Sequence, residues 1–150
     1  MIKTDFNNPE TETLQGETLE LIQLQKLKKL VVRVYENSPY YRNKFNKAGV
    51  DPYKLNSFDD YAEYPLFSKE EERESQQASM KQYGHPYGLH VTCDIDEINL
   101  TSASSGTTGF PTFQGATEKD RRIRNKNFAR ALTRMGIKPG DTVLYCGEMS

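Results

Sequence analysis

From Leu19 onward, apolar residues recur at spacings of three and four: Leu21, Leu24, Leu27, Leu30, Val31 and Val34. Lys26, Lys28, Lys29 and Arg33 fall between them, so the pattern predicts an amphipathic helix that ends near Asn37, ahead of Pro39. The stretch before it, 4–18, is polar and acidic with no period, and reads as a loose arm. Tyr40 to Ala48 predicts a further short helix closed by Gly49, since glycine tolerates the left-handed geometry that ends helices. Two more helix starts are signalled by Ser57 with Asp60 and by Ser68 with Glu71, where each hydroxyl can cap free backbone N–H groups, and Pro65 separates them.

After the breakers Gly84, Pro86 and Gly88 the period changes. Leu89, Val91, Cys93 and Ile95 alternate with polar residues as in a half-buried strand, and Ile98 and Leu100 extend the pattern after a slip in register. Thr112 to Ala116 predicts another short strand. Thr117 with Asp120 then opens a helix with Ile123, Phe128, Ala131, Leu132 and Met135 on one side, closed by Gly136. Pro139, Gly140 and Asp141 form a turn, and Thr142 to Cys146 is expected to be a buried strand. This order of elements is α/β grammar, entered through a helical segment. The expected organisation is a flexible N-terminal arm (1–18), a helical region (19–88) and the first part of an α/β subdomain (89–150).

Composition narrows the function. Seven Phe and nine Tyr argue against wholesale disorder. With 20 Lys and Arg against 21 Asp and Glu, the net charge of -1 gives no global field for nucleic acid or an anionic membrane, so any anion must be held by local geometry. No stretch approaches the roughly twenty apolar residues of a membrane span, and the first residues do not lead into a signal peptide. Cys93 and Cys146 are too few for a disulfide framework, which suits a reducing, cytoplasmic setting.

The densest local signal is Thr101-Ser102-Ala103-Ser104-Ser105-Gly106-Thr107-Thr108-Gly109-Phe110-Pro111. Hydroxyls donate without bringing charge, glycines let successive N–H groups converge, and together they can form a nest for phosphate oxygens. On composition alone a flexible linker stays equally open. The order of residues and the flanking strands favour the nest. It is not a GxxxxGK[ST] loop, because no lysine follows Gly106-Thr107-Thr108-Gly109.

Ser104 to Pro111 resembles instead the [ST]-[SG]-G-[ST]-T-G-x-P signature of the adenylate-forming superfamily of acyl- and aryl-coenzyme A ligases. The likeness is greatest to the phenylacetate-coenzyme A ligase branch and extends over about 21–147. It rests on Ser38-Pro39-Tyr40-Tyr41-Arg42 with Lys44-Phe45, on Ala48-Gly49-Val50-Asp51, on Pro65-Leu66-Phe67-Ser68-Lys69, on Thr112, and on Gly136 with Pro139-Gly140-Asp141. Phe110 departs from the branch, which often carries lysine there.

The resemblance implies an ATP- and magnesium-dependent ligase that adenylates a carboxylic acid, aromatic by preference, and passes the acyl group to coenzyme A. It implies that Ser104, Ser105, Gly106, Thr107, Thr108 and Gly109 bind the phosphates of ATP. The catalytic lysine of the family is expected downstream of Ser150, so this piece alone is expected to be inactive. An adenylating relative with a different acceptor, and a non-catalytic nucleotide- or partner-binding module, are the alternatives. No nucleic-acid or membrane partner is expected and a homodimer stays open; the open edge of an interrupted sheet makes the piece prone to association, which is no evidence of a native dimer.

Other groupings carry less. His85, His90, Cys93 and Cys146 match no standard zinc spacing, so His85 reads as a loop residue and Cys93 as a small buried side chain. Lys119, Arg121, Arg122, Arg124, Lys126, Arg130 and Arg134 read as a solvated helix face. Tyr40, Tyr41, Tyr61, Tyr64 and Tyr87 are assigned to no substrate pocket.

Overall fold

The structure, a computed structural model, describes residues 6–104 and 111–144. The arm is not without structure: α1 (Pro9–Glu12) forms within it, and α2 (Gly16–Asn37) starts inside its last residues. Contacts with the last helix hold the arm in place. Glu12 pairs with Arg130 at 3.6 Å, and the Arg134 guanidinium lies 4.2 Å from the centre of the Phe6 ring.

α2 passes into α3 (Pro39–Ala48) through Ser38 alone. Pro39 has no N–H with which to extend α2, but its fixed φ suits the first turn of a new helix. Ser38 is fully buried; its Oγ accepts from the Tyr41 N–H at 3.4 Å and donates to the Leu89 carbonyl at 3.2 Å. Between α2, α3 and the short turn Pro52–Lys54 lies a core of Val31, Phe45 and Leu55, with Leu27, Val34, Tyr41 and Val50 packed around it. Tyr35 stacks on Phe45 at 6.3 Å and Tyr64 meets it edge-on at 5.1 Å, so aromatic packing fills most of this small interior.

α4 (Phe58–Ala62) and α5 (Lys69–Tyr83) both open with the capping boxes that their sequences predict. In the second box Glu71 does more than cap, since its carboxylate also pairs with Lys44 of α3. The Lys44 ammonium, followed by the Ser68 N–H, holds the Glu71 carboxyl below the usual glutamate range. Burial and the nearby Glu71 charge push the Tyr40 hydroxyl up to about 12.

A depressed carboxyl stabilises the fold above its unfolded pKa of about 4.3 and loses that contribution as pH falls through its lower folded value. Glu71→Gln is therefore expected to flatten the acid limb of the stability profile below about pH 4.3. Denaturant titrations at several pH values measure this, and an unaltered acid limb would refute the account of Glu71.

α5 buries polar residues: Ser75, Gln76 and Ser79 are its buried positions. Ser75 and Ser79 form the seat for 84–93, where the expected strand does not occur. The Leu89 N–H is taken by the Ser75 hydroxyl at 2.8 Å, its carbonyl accepts from Ser38, and the Val91 N–H turns back toward the Gly88 carbonyl at 3.5 Å. With its backbone bonded to side chains and to its own turn, this segment has no groups aligned for a strand ladder. The alternation of Leu89, Val91, Cys93 and Ile95 reflects half-burial without pairing, and Ile95–Glu97 is a single helical turn.

The strands that do form are β1 (Ile98–Ala103) and β2 (Phe113–Thr117), an antiparallel hairpin with an irregularity between Ile98 and Leu100. α6 (Glu118–Arg134) follows directly through a Thr117–Asp120 capping box and packs on both strands. Its apolar side is left open, with Ile123 51%, Phe128 62% and Met135 66% exposed. Beyond it Thr142, Val143 and Leu144 take no regular structure and are exposed, so the buried strand expected there does not form over these residues; Tyr145 and Cys146 lie outside the described residues.

Candidate functional site

The hydroxyl-rich loop joins the two strands of the hairpin. Of the residues assigned to phosphate binding, Ser104 is described; Ser105, Gly106, Thr107, Thr108 and Gly109 lie outside the described residues. The root of the loop is defined on both sides. The Ser104 N–H donates to the Thr112 carbonyl at 2.9 Å, and the Thr112 N–H returns to Ser104 Oγ at 2.9 Å. Thr112 Oγ1 also donates to Ser104 Oγ, at 3.2 Å. Ser104 Oγ thus accepts twice from one residue and keeps its own proton to donate, while its side chain stays exposed.

Thr112, by contrast, is 1% exposed and receives a hydrogen bond from Lys69 Nζ at 2.5 Å. Lys69 lies 43 residues earlier, at the first position of α5. A cation at a helix N-terminus opposes the helix dipole, so helix formation does not account for lysine here. Its second partner, Glu72, follows it at 2.9 Å on α5 and offsets part of that cost. The result is a relay in which a half-exposed ammonium polarises Thr112, and Thr112 polarises Ser104. A loop that reads as lacking a cation has one at its foot. Nothing local in the sequence signals it, because the partner is distant along the chain.

Gln76 is the other residue that sequence reading passes over. Its side-chain nitrogen donates to the Phe113 carbonyl at 2.6 Å and its oxygen accepts from the Phe113 N–H at 3.0 Å.

The remaining candidates disperse. His90 bonds Ser75 through Nδ1 at 2.9 Å and packs 4.9 Å from Phe67, where burial pulls its pKa down. His85 stacks between Tyr83 and Tyr87, each 6.0 Å away. Among the described residues no group of three or more His, Cys, Asp or Glu could hold a metal ion. Much of the basic face of α6 is engaged within the chain: Arg121 and Arg122 with Glu118, Arg130 with Glu12, and Arg134 on Phe6. Tyr40, Tyr41 and Tyr64 belong to the aromatic packing around Phe45 and Phe67.

No family model matches the chain. Phenylacetate-coenzyme A ligase of Thermus thermophilus is 37% identical over 132 residues, which are 88% of this chain and 27% of the relative. The Escherichia coli ligase of the same name is 32% identical over 88% of this chain and 28% of its own length. This chain is homologous to phenylacetate-coenzyme A ligases. Solved structures of 2-hydroxyisobutyryl-CoA ligase agree with that homology. One, bound to 2-HIB-AMP and CoA in the thioesterification state, superposes with a TM-score of 0.81 at 34% identity, covering 91% of this chain and 28% of that one. An open conformation with the same ligands gives 0.82 at 31% identity, over 94% and 31% of the two chains.

The helical segment, hairpin and α6 therefore correspond to the N-terminal part of acid-coenzyme A ligases, and the chain spans between a quarter and a third of the length of these homologues. Among the described residues no helix is long and apolar enough to cross a membrane.

Proposed function

We propose that this chain is the N-terminal portion of an ATP-dependent carboxylic acid-coenzyme A ligase and that the hairpin loop grips the phosphates of ATP. The observation that carries the reading is the hydrogen-bond relay from Lys69 through Thr112 to Ser104 at the loop's root. It puts a positive charge and an exposed serine hydroxyl that accepts from Thr112 beside a Ser/Thr/Gly sequence, on a fold whose homologues are acid-coenzyme A ligases. The division into an arm to residue 18, a helical region to 88 and a nucleotide-binding part from 89 belongs to the same proposal, as does a cytoplasmic location.

In the reaction, a carboxylate oxygen attacks the α-phosphorus of ATP and pyrophosphate leaves with the electron pair of the broken P–O bond. The thiol of coenzyme A then attacks the acyl-adenylate carbonyl, loses its proton and expels AMP. Ser104, Ser105, Thr107 and Thr108 donate to the phosphate oxygens, and Gly106 and Gly109 let the backbone wrap around them. Donors fixed before the nucleotide arrives stabilise the charge that grows on the leaving pyrophosphate.

Magnesium is implied by the resemblance, but the donor set at the loop's root does not suit it. Hydroxyls, an ammonium and a carboxamide bind anions, whereas magnesium prefers carboxylate and water oxygens, and Glu72 is already held by Lys69. The open apolar side of α6 fits a helix that later parts of a longer protein cover.

ATP-pyrophosphate exchange tests the reading. The intact gene product is expected to exchange in the presence of a cognate acid, and the 150-residue chain alone is not. Phenylacetate and 2-hydroxyisobutyrate are the first acids to try, because relatives named for each are similarly close. Absence of exchange with every acid in an aryl and alkyl panel would overturn the ligase reading.

A further inference from the structure

We propose that Gln76 is a positioning residue for nucleotide binding: its carboxamide stands in for a missing neighbouring strand and fixes the foot of the phosphate loop. The proposal rests on the ligase reading above.

The geometry of the hairpin sets the requirement. In an antiparallel pair, successive residues point their N–H and C=O groups alternately toward and away from the partner. The Thr112 carbonyl bonds Ser104 on the first strand, so the polar groups of Phe113 face the opposite, outer edge. The sheet has two strands among the described residues, and no other described strand meets that edge of β2. Gln76 meets it with one planar group, donating to the carbonyl at 2.6 Å and accepting from the N–H at 3.0 Å. Gln76 is itself buried, 6% exposed, where it makes these two bonds.

A neutral carboxamide carries a donor and an acceptor side by side, which a carboxylate does not. Asparagine has the same group on a shorter stem. Gln76 also lies on the same helix as Lys69, so α5 holds the returning side of the loop at two consecutive residues, Thr112 through Lys69 and Phe113 through Gln76. If the Phe113 backbone is released, Thr112 and Ser104 lose the fixed geometry that aims the Ser104 hydroxyl. A misplacement of about 1 Å costs roughly 10²-fold in rate.

The test uses the intact gene product and three variants. Gln76→Met keeps the bulk and removes both hydrogen bonds. It is expected to lower kcat/KM for ATP by about 10²-fold, with KM for the acid and for coenzyme A unchanged. Gln76→Asn retains the carboxamide and is expected to recover part of the loss. Gln76→Glu is the decisive variant. Ionised, it accepts from the Phe113 N–H but faces the carbonyl with a second oxygen; protonated, it supplies the missing donor.

Burial raises the pKa of such a carboxyl. Relative to wild type, the kcat/KM of Gln76→Glu for ATP is therefore expected to rise as pH falls, a dependence that Gln76→Met lacks. Hydrogen exchange at the Phe113 amide should quicken in Gln76→Met. If the variants lose activity only in proportion to lost folded protein, with no selective effect on ATP and no pH-dependent recovery, Gln76 is structural and the proposal falls. Wild-type exchange matched by Gln76→Glu at every pH overturns the positioning role alone, whereas absence of exchange in the wild type removes the ligase reading and this inference with it.

Discussion

Lys69→Met in the intact gene product is expected to lower acid-dependent ATP-pyrophosphate exchange by about 10²- to 10³-fold, the usual cost of removing one well-aimed charge or donor from a site of developing anionic charge. The effect should appear mainly in kcat, since the charge on the leaving phosphates is greatest in the transition state. Lys69 reaches the root through one contact, Thr112 Oγ1 at 2.5 Å, and its second partner is Glu72 on its own helix. Removing it therefore strips the loop of its cation while leaving the hairpin bonds between Ser104 and Thr112 in place. Lys69→Arg keeps the charge on a larger, planar head and should retain part of the activity. Thr112→Val separates relay from charge, because it preserves the ammonium and removes the hydroxyl between it and Ser104. Wild-type exchange rates in Lys69→Met would show that the ammonium has no part in phosphate chemistry.

The largest stability effect is expected at Gly88. Its φ of +90° lies where side chains other than glycine are strained, and a Cβ there would meet the His90 ring at 2.3 and 2.4 Å. The ring cannot easily retreat, since Ser75 holds Nδ1 and Tyr40 and Phe67 pack against it. Backbone strain and overpacking each cost about 1 to 3 kcal/mol, so Gly88→Ala should lose about 2 to 6 kcal/mol. Gly84 provides the control. At φ +75° a Cβ there meets nothing within 4 Å, so Gly84→Ala pays for the backbone alone. Denaturant unfolding of the two variants measures the difference, and equal losses would contradict the packing of His90 over Gly88.

What the sequence reveals here is mostly local physics. α2 and α3 are legible because apolar spacing, Pro39 and Gly49 all act within one or two turns of the residues they govern. The three capping boxes, Ser57 with Asp60, Ser68 with Glu71 and Thr117 with Asp120, are closed rings of a few residues and form as their spacing predicts. The slip expected before Ile98 is occupied by the helical turn Ile95–Glu97, and the irregularity of β1 falls one step later, between Ile98 and Leu100.

Failures begin where a distant side chain replaces a local rule. Leu89 to Ile95 alternates like a strand, yet Ser38 and Ser75 take the backbone groups that a neighbouring strand would need. A helix as polar as α5 gives no sign that Gln76 and Ser79 are buried. Lys69 stands within a family-like motif, but its meeting with Thr112 exists only after α5 folds against the hairpin. The cation at the loop's foot is not legible from the loop itself, whose hydroxyls and glycines carry no charge.

The back-to-back pairing of Ser104 and Thr112 has a practical consequence for mutagenesis. Among the described residues, the bonds that close the hairpin here run among Ser104, Thr112, Phe113, Lys69 and Gln76. A library that holds these five residues constant preserves those bonds, and variants that lose one of the five should be scored for folded protein before they are scored for activity.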